Sequence, residues 1–314
     1  MKAVLQYRAS PGFRDRIAAT VPDWLDVLVI DEADKQTFAA EMADADVLLH
    51  VLETVTADVI KAAPALRLIQ KIGVGVNTID LDTAGRNDVA VCNMPGTNSR
   101  AVAEMTLTLM LAALRRVPYF DNRMRAGDGW TADLESFDGL GEIAGRSVGL
   151  VGYGDVARLL APVLKAMGAN VLYTATAEKP DAEADWRTLP DLLREADILS
   201  LHLPLTPATE QMIDGTAIAA MKPGAVLVNT ARGGLVNEVA LFQALKTGHL
   251  RAAGLDVVTV EPAPAGNPLF DLDNVVVMPH IAWITPETLD RSLGVAFENC
   301  RRLRDGEDLL HRVV

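Results

Sequence analysis

Cysteine is nearly missing from this chain, histidine is scarce and basic residues are outnumbered. Of 314 residues, two are cysteine and five histidine, and 29 Lys and Arg face 42 Asp and Glu, a formal net charge of −13. Cys92 and Cys300 stand far apart, with no C-x-x-C spacing and no histidine cluster nearby, so nothing suggests a disulfide framework, a metal site or thiol redox work. A reducing cytoplasm is the simplest setting. The acidic balance excludes a nucleic-acid surface, which needs clustered Lys and Arg. Acidity serves solubility, and an anionic substrate must then be held by a local positive site. Long apolar runs are missing too. Residues 105–114 lie between Glu104 and Arg115, too few to cross a bilayer, and read as a buried helix; no membrane partner is expected. The opening MKAVLQYRASPGF is interrupted by Gln6 and Arg8 and does not read as a secretory signal. There is no short repeat and no low-complexity tract.

What is present is apolar and periodic. Half of the residues are hydrophobic, and the length suggests two domains. β-branched runs at 3–6, 26–30, 47–51, 66–72 and 90–92 alternate with helical segments at 15–19, 35–43, 57–63 and 80–87, the pattern of a parallel α/β domain. After the turn at Pro95-Gly96, one long helix is predicted over 99–117. Residues 127–145 read as an ordered surface excursion. Strands are then predicted at 171–173, 198–203, 225–230, 252–257 and 275–278, with helices at 189–195, 215–221 and 238–247. An amphipathic helix over 286–304 closes the chain and packs back on the first domain.

Residues 147–167 read as a buried strand, a tight glycine turn and a helix whose Val156, Leu159, Leu160, Val163, Leu164 and Met167 share a face. In Gly152-Tyr153-Gly154-Asp155-Val156, Gly152 permits the turn, and Gly154 lets an anion approach the free N–H groups that open the helix. A dinucleotide pyrophosphate is the expected ligand. The third glycine of G-x-G-x-x-G is here Ala157, which the pattern allows. Asp155 suits the helix dipole but stands close to the expected phosphates. A tight strand-to-helix connection with no ligand fits the same glycines.

Ligands of open α/β sheets bind beyond the C-terminal ends of strands. Four features fall there: Gly73-Val74-Gly75, a backbone nest; Arg232, a fixed cation; Glu261, a carboxylate; and His280, an imidazole. Together they could hold a carboxylate and move a proton. Singly, each has an ordinary alternative: Arg232 as a strand-end cap or surface ion pair, His280 as a structural group, Glu261 as a solvated acid. Glu261 within reach of His280 would stabilise imidazolium and raise its pKa.

These residues carry a resemblance. The chain resembles the D-isomer-specific 2-hydroxyacid dehydrogenase family in Gly73-Val74-Gly75-Val76-Asn77-Thr78-Ile79-Asp80, in Asn93-Met94-Pro95-Gly96-Thr97-Asn98 with Val102-Ala103-Glu104, and in the glycine turn. The likeness continues in His202-Leu203-Pro204-Leu205-Thr206, from Met221-Lys222-Pro223-Gly224-Ala225 through Asn229-Thr230-Ala231-Arg232-Gly233-Gly234, in Gly254-Leu255-Asp256-Val257 with Glu261-Pro262, and in Pro279-His280-Ile281-Ala282. The order matches over about 66–288, far more specific than any one motif. The resemblance implies two Rossmann-like domains: a doubly wound parallel-sheet dinucleotide-binding domain, 99–286, inserted in a flavodoxin-like substrate domain, 1–98 with 287–314. It implies Arg232 on the substrate carboxylate and carbonyl, the N–H groups of Val74 and Gly75 completing the cradle, His280 as acid/base and Glu261 as its partner. Thr230, Ala231 and Asp256 would lie along the nicotinamide with Arg232 and His280, Leu203 and Pro204 along the adenosine side, and Thr174, Ala175 and Thr209 count among the cofactor positions. A homodimer is expected on the same ground.

Two departures matter. The acidic residue that NAD-preferring members carry past the second strand is replaced by Thr174-Ala175-Thr176-Ala177, so NADP is no longer repelled; Thr174, Thr176 or Lys179 could contact its 2′-phosphate, and the reading leans slightly from NAD to NADP. Asp155 stands where many relatives place Arg or Lys. Formate dehydrogenases, which resemble the chain, carry Gln in place of Glu261, and phosphite dehydrogenases carry Lys in place of Val74. Small 2-oxo acids remain, glyoxylate or hydroxypyruvate foremost, then bulkier alkyl or aryl analogues. Trp283 either walls that pocket or simply packs. The other class of reading is a dinucleotide-binding corepressor without turnover.

Overall fold

The β-branched runs of the first third fold as five parallel strands: β1 (Lys2–Gln6), β2 (Asp26–Ile30), β3 (Val47–His50), β4 (Leu68–Lys71) and β5 (Ala90–Cys92). Their order is β2-β1-β3-β4-β5, the flavodoxin-like winding. Every residue of β3 and β4 is buried, as in a parallel strand covered on both faces. The intervening helices each start at a side-chain cap: Ser10, Asp34, Thr56 and Asp80 accept from the N–H three residues on. The helix Pro286–Asp305 belongs to the same unit, burying Leu289, Leu293, Ala296 and Phe297. Beyond it the tail lines up along β5, with the Val313 N–H donating to Val91 O (2.7 Å) and the Asn93 N–H to His311 O (3.2 Å).

The computed structural model describes residues 1–131 and 134–314. In it the chain divides into Met1–Asn98 with Ile284–Val314, and Ser99–Trp283. The second unit holds β6 (Ser147–Val151), β7 (Asn170–Thr174), β8 (Asp185–Trp186), β9 (Ile198–Leu201), β10 (Ala225–Asn229), β11 (Leu250–Leu255) and β12 (Val275–Val277), in the order β12-β11-β10-β9-β6-β7-β8. All the pairings are parallel. This is the doubly wound dinucleotide fold with one extra edge strand, and its order reverses between β6 and β9. Alternate strand residues serve opposite cores: Val151, Leu199 and Leu227 in one, Leu150, Ile198 and Val226 in the other.

Two expectations need correction. The helix that opens the second unit is Ser99–Arg115, not 99–117: Arg116 turns left-handed (φ +50°) and a separate helix runs Val117–Ala126. Pro118 is the reason. It has no N–H for Leu114 O and its ring would collide with that carbonyl in a continuous helix; the Gly141 N–H satisfies it instead (3.0 Å). On the helix Asp155–Ala166, the buried residues are Ala157, Leu160, Ala161 and Leu164, whereas Leu159 and Val163 are exposed. Ala157 and Ala161 join Leu160 and Leu164 on the packed face in place of Leu159 and Val163. The excursion at 127–145 contains a single turn at Gly129–Thr131 and a short helix at Glu135–Asp138; its Ala132 and Asp133 lie outside the described residues. The two-residue β8 has no signal in the sequence pattern.

Candidate active site

Arg232 is carried by a turn that β10 staples to itself. Asn229, the last residue of that strand and fully buried, accepts from the Ala231 N–H (3.0 Å) and donates from Nδ2 to Arg232 O (2.8 Å). Thr230 shares a hydrogen bond with Thr106 (2.8 Å). The backbone of Gly233 passes so close to Val258 that a Cβ would overlap the Val258 carbonyl, which is why glycine follows the arginine. Burial draws the Arg232 guanidinium down from its ordinary value, and Glu261 opposes that shift.

A carboxylate and an imidazole meet beyond the ends of β11 and β12. Asp256 is buried; its carbonyl accepts from the His280 N–H (2.8 Å), and its carboxylate accepts from Ile281 N (2.9 Å) and Ala282 N (3.0 Å). Burial pushes the Asp256 carboxyl up, with those N–H groups pulling the other way. His280 is thereby held at φ +56°, a left-handed conformation uncommon outside glycine. Its Nδ1 lies 2.6 Å from Glu261 Oε2, while Glu261 Oε1 accepts from the Val258 N–H (3.1 Å). Burial raises the Glu261 carboxyl, but the His280 hydrogen bond and charge, the Val258 N–H and Arg232 outweigh it, and the net displacement is downward. A carboxylate on Nδ1 keeps that nitrogen protonated and leaves Nε2 to exchange a proton.

At the end of β6, Gly152 adopts φ +96° and donates to Thr174 O (2.9 Å). A Cβ there would stand 2.6 Å from His202 O. Gly154 is the N-cap of the helix Asp155–Ala166, makes no side-chain cap and faces open space. The helices that begin after Thr188, Asp214, Asn237 and Thr285 are all capped by those side chains. An uncapped helix start with room in front of it, at the strand-order reversal, fits a dinucleotide pyrophosphate. Asp155 and Val156 are the first residues of that helix. Tyr153 points inward, packing on Tyr173 (4.4 Å between ring centres) and accepting from the Glu183 N–H (2.9 Å). Thr174 ends β7 and Ala175 follows it. Leu203 and Pro204 follow β9, where the Thr209 hydroxyl donates to Pro204 O (2.7 Å).

Glu261 and His280 are thus in contact, and Arg232 lies within electrostatic reach of Glu261. Val74 and Gly75 belong to the other unit, following a left-handed Gly73 (φ +137°). Trp283 is the last residue of the second unit and is part-buried. Sequence reasoning assigned no task to Asn229 or Thr106, and it missed that Asp256 anchors the histidine backbone. Asn229 stood in a run used for the resemblance, but nothing in the run marks its amide as a staple. Among the described residues, no group of three or more His, Cys, Asp or Glu is placed to hold a metal ion, and no helix is long and apolar enough to cross a membrane.

Residues 107–282 match the family model described as D-isomer specific 2-hydroxyacid dehydrogenase, NAD binding domain, more than half of the chain. The chain belongs to the D-isomer-specific 2-hydroxyacid dehydrogenase family. It is similar to the D-3-phosphoglycerate dehydrogenase of Mycobacterium leprae (strain TN), 41% identical over 294 residues, 92% of this chain and 55% of that one. The chain therefore spans about half the length of the curated phosphoglycerate dehydrogenases it matches. It is also similar to the glyoxylate reductase of Aeropyrum pernix, 38% identical over 280 residues, 87% of this chain and 84% of that one. Among solved structures, the TT0316 protein from Thermus thermophilus superposes with a TM-score of 0.88 at 35% identity, over the whole of both chains. For a 2-hydroxyacid dehydrogenase with this NAD-binding domain, the cofactor class is a nicotinamide dinucleotide.

Proposed function

We propose that the protein is an NAD(P)-dependent reductase of small 2-oxo acids, forming D-2-hydroxy acids. The observation that carries the reading is the Glu261–His280 pair at 2.6 Å, beyond the C-terminal ends of β11 and β12, the two strands next in the sheet after the one carrying the turn of Arg232. In this reading the bound nicotinamide supplies or takes the hydride at C2 of the substrate. His280 Nε2 gives the proton to the carbonyl oxygen in reduction and takes it back in oxidation, and Glu261 stabilises the charged imidazole. Arg232 binds the carboxylate and polarises the carbonyl, and the N–H groups of Val74 and Gly75 are assigned to the same carboxylate. Gly152, Gly154 and the N–H groups of Asp155 and Val156 would take the pyrophosphate, and Thr230, Ala231 and Asp256 the nicotinamide side.

A small uncharged substituent is favoured over a phosphorylated one: Leu52 and Val74, 43% exposed each, follow the ends of β3 and β4, and neither supplies a positive charge. NADP is slightly favoured over NAD. No carboxylate stands at Thr174 or Ala175, and Asp181, further along the segment after β7, is paired with Arg158 (2.8 Å). Initial rates with NADPH and NADH on glyoxylate, hydroxypyruvate, phenylpyruvate and 3-phosphohydroxypyruvate test the reading. Turnover of glyoxylate or hydroxypyruvate is expected; none on any of the four defeats it, and a preference for the phosphorylated acid redirects it. His280→Ala is expected to abolish turnover while still binding cofactor. A homodimer is proposed as the working state.

A further inference from the structure

The Val74–Gly75 cradle is built from peptide groups whose direction something must set. A peptide's C=O and N–H point to opposite sides of its plane, so a bond that holds a carbonyl also aims the N–H that follows it. The Gly73 carbonyl accepts from the Met94 N–H (2.9 Å), which aims the Val74 N–H. The Val74 carbonyl accepts from Asn93 Nδ2 (3.0 Å), which aims the Gly75 N–H. The first tether is backbone and any residue at 94 other than proline would supply it. The second is a side chain, and it spans a loop with a left-handed glycine at one end and another glycine at 75, where a peptide plane is free to turn.

Asn93 is itself fixed. Its N–H donates to His311 O (3.2 Å), its carbonyl accepts from Gln70 Nε2 (3.4 Å), and the buried Gln70 side chain is bound in turn by Asn299 (2.6 Å). The amide therefore reaches the loop from an anchored base at the end of β5.

We propose that Asn93 is a positioning residue for substrate binding: its amide fixes the Val74–Gly75 peptide so that the Gly75 N–H is presented to the substrate carboxylate. This rests on the 2-oxoacid reductase reading above. An interaction with the carboxylate is made equally in the ground and transition states, so its loss raises KM and leaves kcat in place.

The test uses the full chain and two variants. Asn93→Asp keeps the shape but replaces the donor with an acceptor facing a carbonyl, and Asn93→Ala removes the group. With glyoxylate as substrate, KM is expected to rise about tenfold in Asn93→Asp and at least as much as in Asn93→Ala. Values of kcat are expected to stay within about twofold. The Kd for NADPH, read by quenching of protein fluorescence, is expected to be unchanged. A side chain that merely fills space would leave the isosteric Asn93→Asp near the wild type, and that result overturns the proposal. So does an equal loss of NADPH affinity, which would mark a general loosening. If the wild-type protein turns over glyoxylate and Asn93→Asp has an unaltered KM, this inference alone fails; if the wild type turns over no 2-oxo acid, the reductase reading fails and takes the inference with it.

Discussion

Glu261 keeps its charge because its neighbours outweigh its burial, and that balance is a statement about what each neighbour does. Replacing it with Gln retains a hydrogen-bond acceptor for His280 Nδ1 but removes the charge that favours imidazolium. Glu261→Gln is expected to lower kcat by about 10²-fold with little change in cofactor Kd, measured by steady-state kinetics and fluorescence titration. Unaltered kcat would remove Glu261 from the proton-transfer step. A second residue makes a pH prediction away from the chemistry. His50 is buried at the end of β3, its Nε2–H donates to Glu53 O, and burial with the charge of Lys71 adding pushes its pKa down to about 4. The unfolded imidazole titrates near 6.5. Above that pH both states are neutral; between 6.5 and 4 only the unfolded chain takes up the proton, so stability is lost as pH falls through this window, by at most about 3 kcal/mol. His50→Gln is expected to shrink the drop in urea midpoint between pH 7.5 and 5, and an identical drop would show that the histidine is not its source. At this scale the strand-end positions of Arg232, Glu261 and His280 were legible, because their types are chemically loud and glycines or prolines flank them. The bonds of Asn93, Asn229 and Asp256 were not, because each goes to backbone groups whose partners the sequence does not name.

The helix Asp155–Ala166 shows the same division one level up. Its start was readable from two glycines, since only a residue tolerant of φ +96° can occupy Gly152 with the His202 carbonyl so near. Gly152→Ala is expected to cost stability and to abolish dinucleotide binding, read by thermal unfolding with and without NADPH; a ligand-dependent shift equal to that of the wild type would refute it. Its first residue carries a charge of the wrong sign for phosphate. Asp155→Asn is expected to tighten NADPH binding by roughly two- to fivefold, an effect that fades with added salt. The buried face was misread because hydrophobicity alone favoured Leu159 and Val163 over Ala157 and Ala161. Close packing placed Ala157 and Ala161 beside Leu160 and Leu164 on the buried face. The break at Arg116 was likewise present in the sequence as Pro118, but a strong apolar period on either side concealed it.

Across the whole molecule, alternation of strands and helices was enough to give parallel α/β architecture, while the strand orders β2-β1-β3-β4-β5 and β12-β11-β10-β9-β6-β7-β8 came from no periodicity and rest on the fold itself. The proposed dimer belongs to this scale. Val117, Met124, Trp130, Leu134 and Phe137 are exposed within one stretch of an otherwise strongly acidic chain, with Trp130 91% accessible, and such a concentration of apolar groups suits a second copy. Light scattering after size exclusion is expected to give twice the chain mass for the wild type and a monomer for Trp130→Ser with Leu134→Ser; a monomeric wild type ends the idea. The way the first unit is assembled also bears on time. Its edge strand β5 is completed by residues 311–314, and the buried Gln70 Oε1 accepts from Asn299. On a ribosome, residues 99–283 must be synthesised in between, which takes roughly 10–40 s at common elongation rates. The second unit, contiguous in the chain, can close during that interval, whereas the first waits with an open sheet edge and an amide oxygen still lacking Asn299. The segment from Ile284 onward is thus a latch on the part of the chain made first, and its arrival decides when that part becomes native.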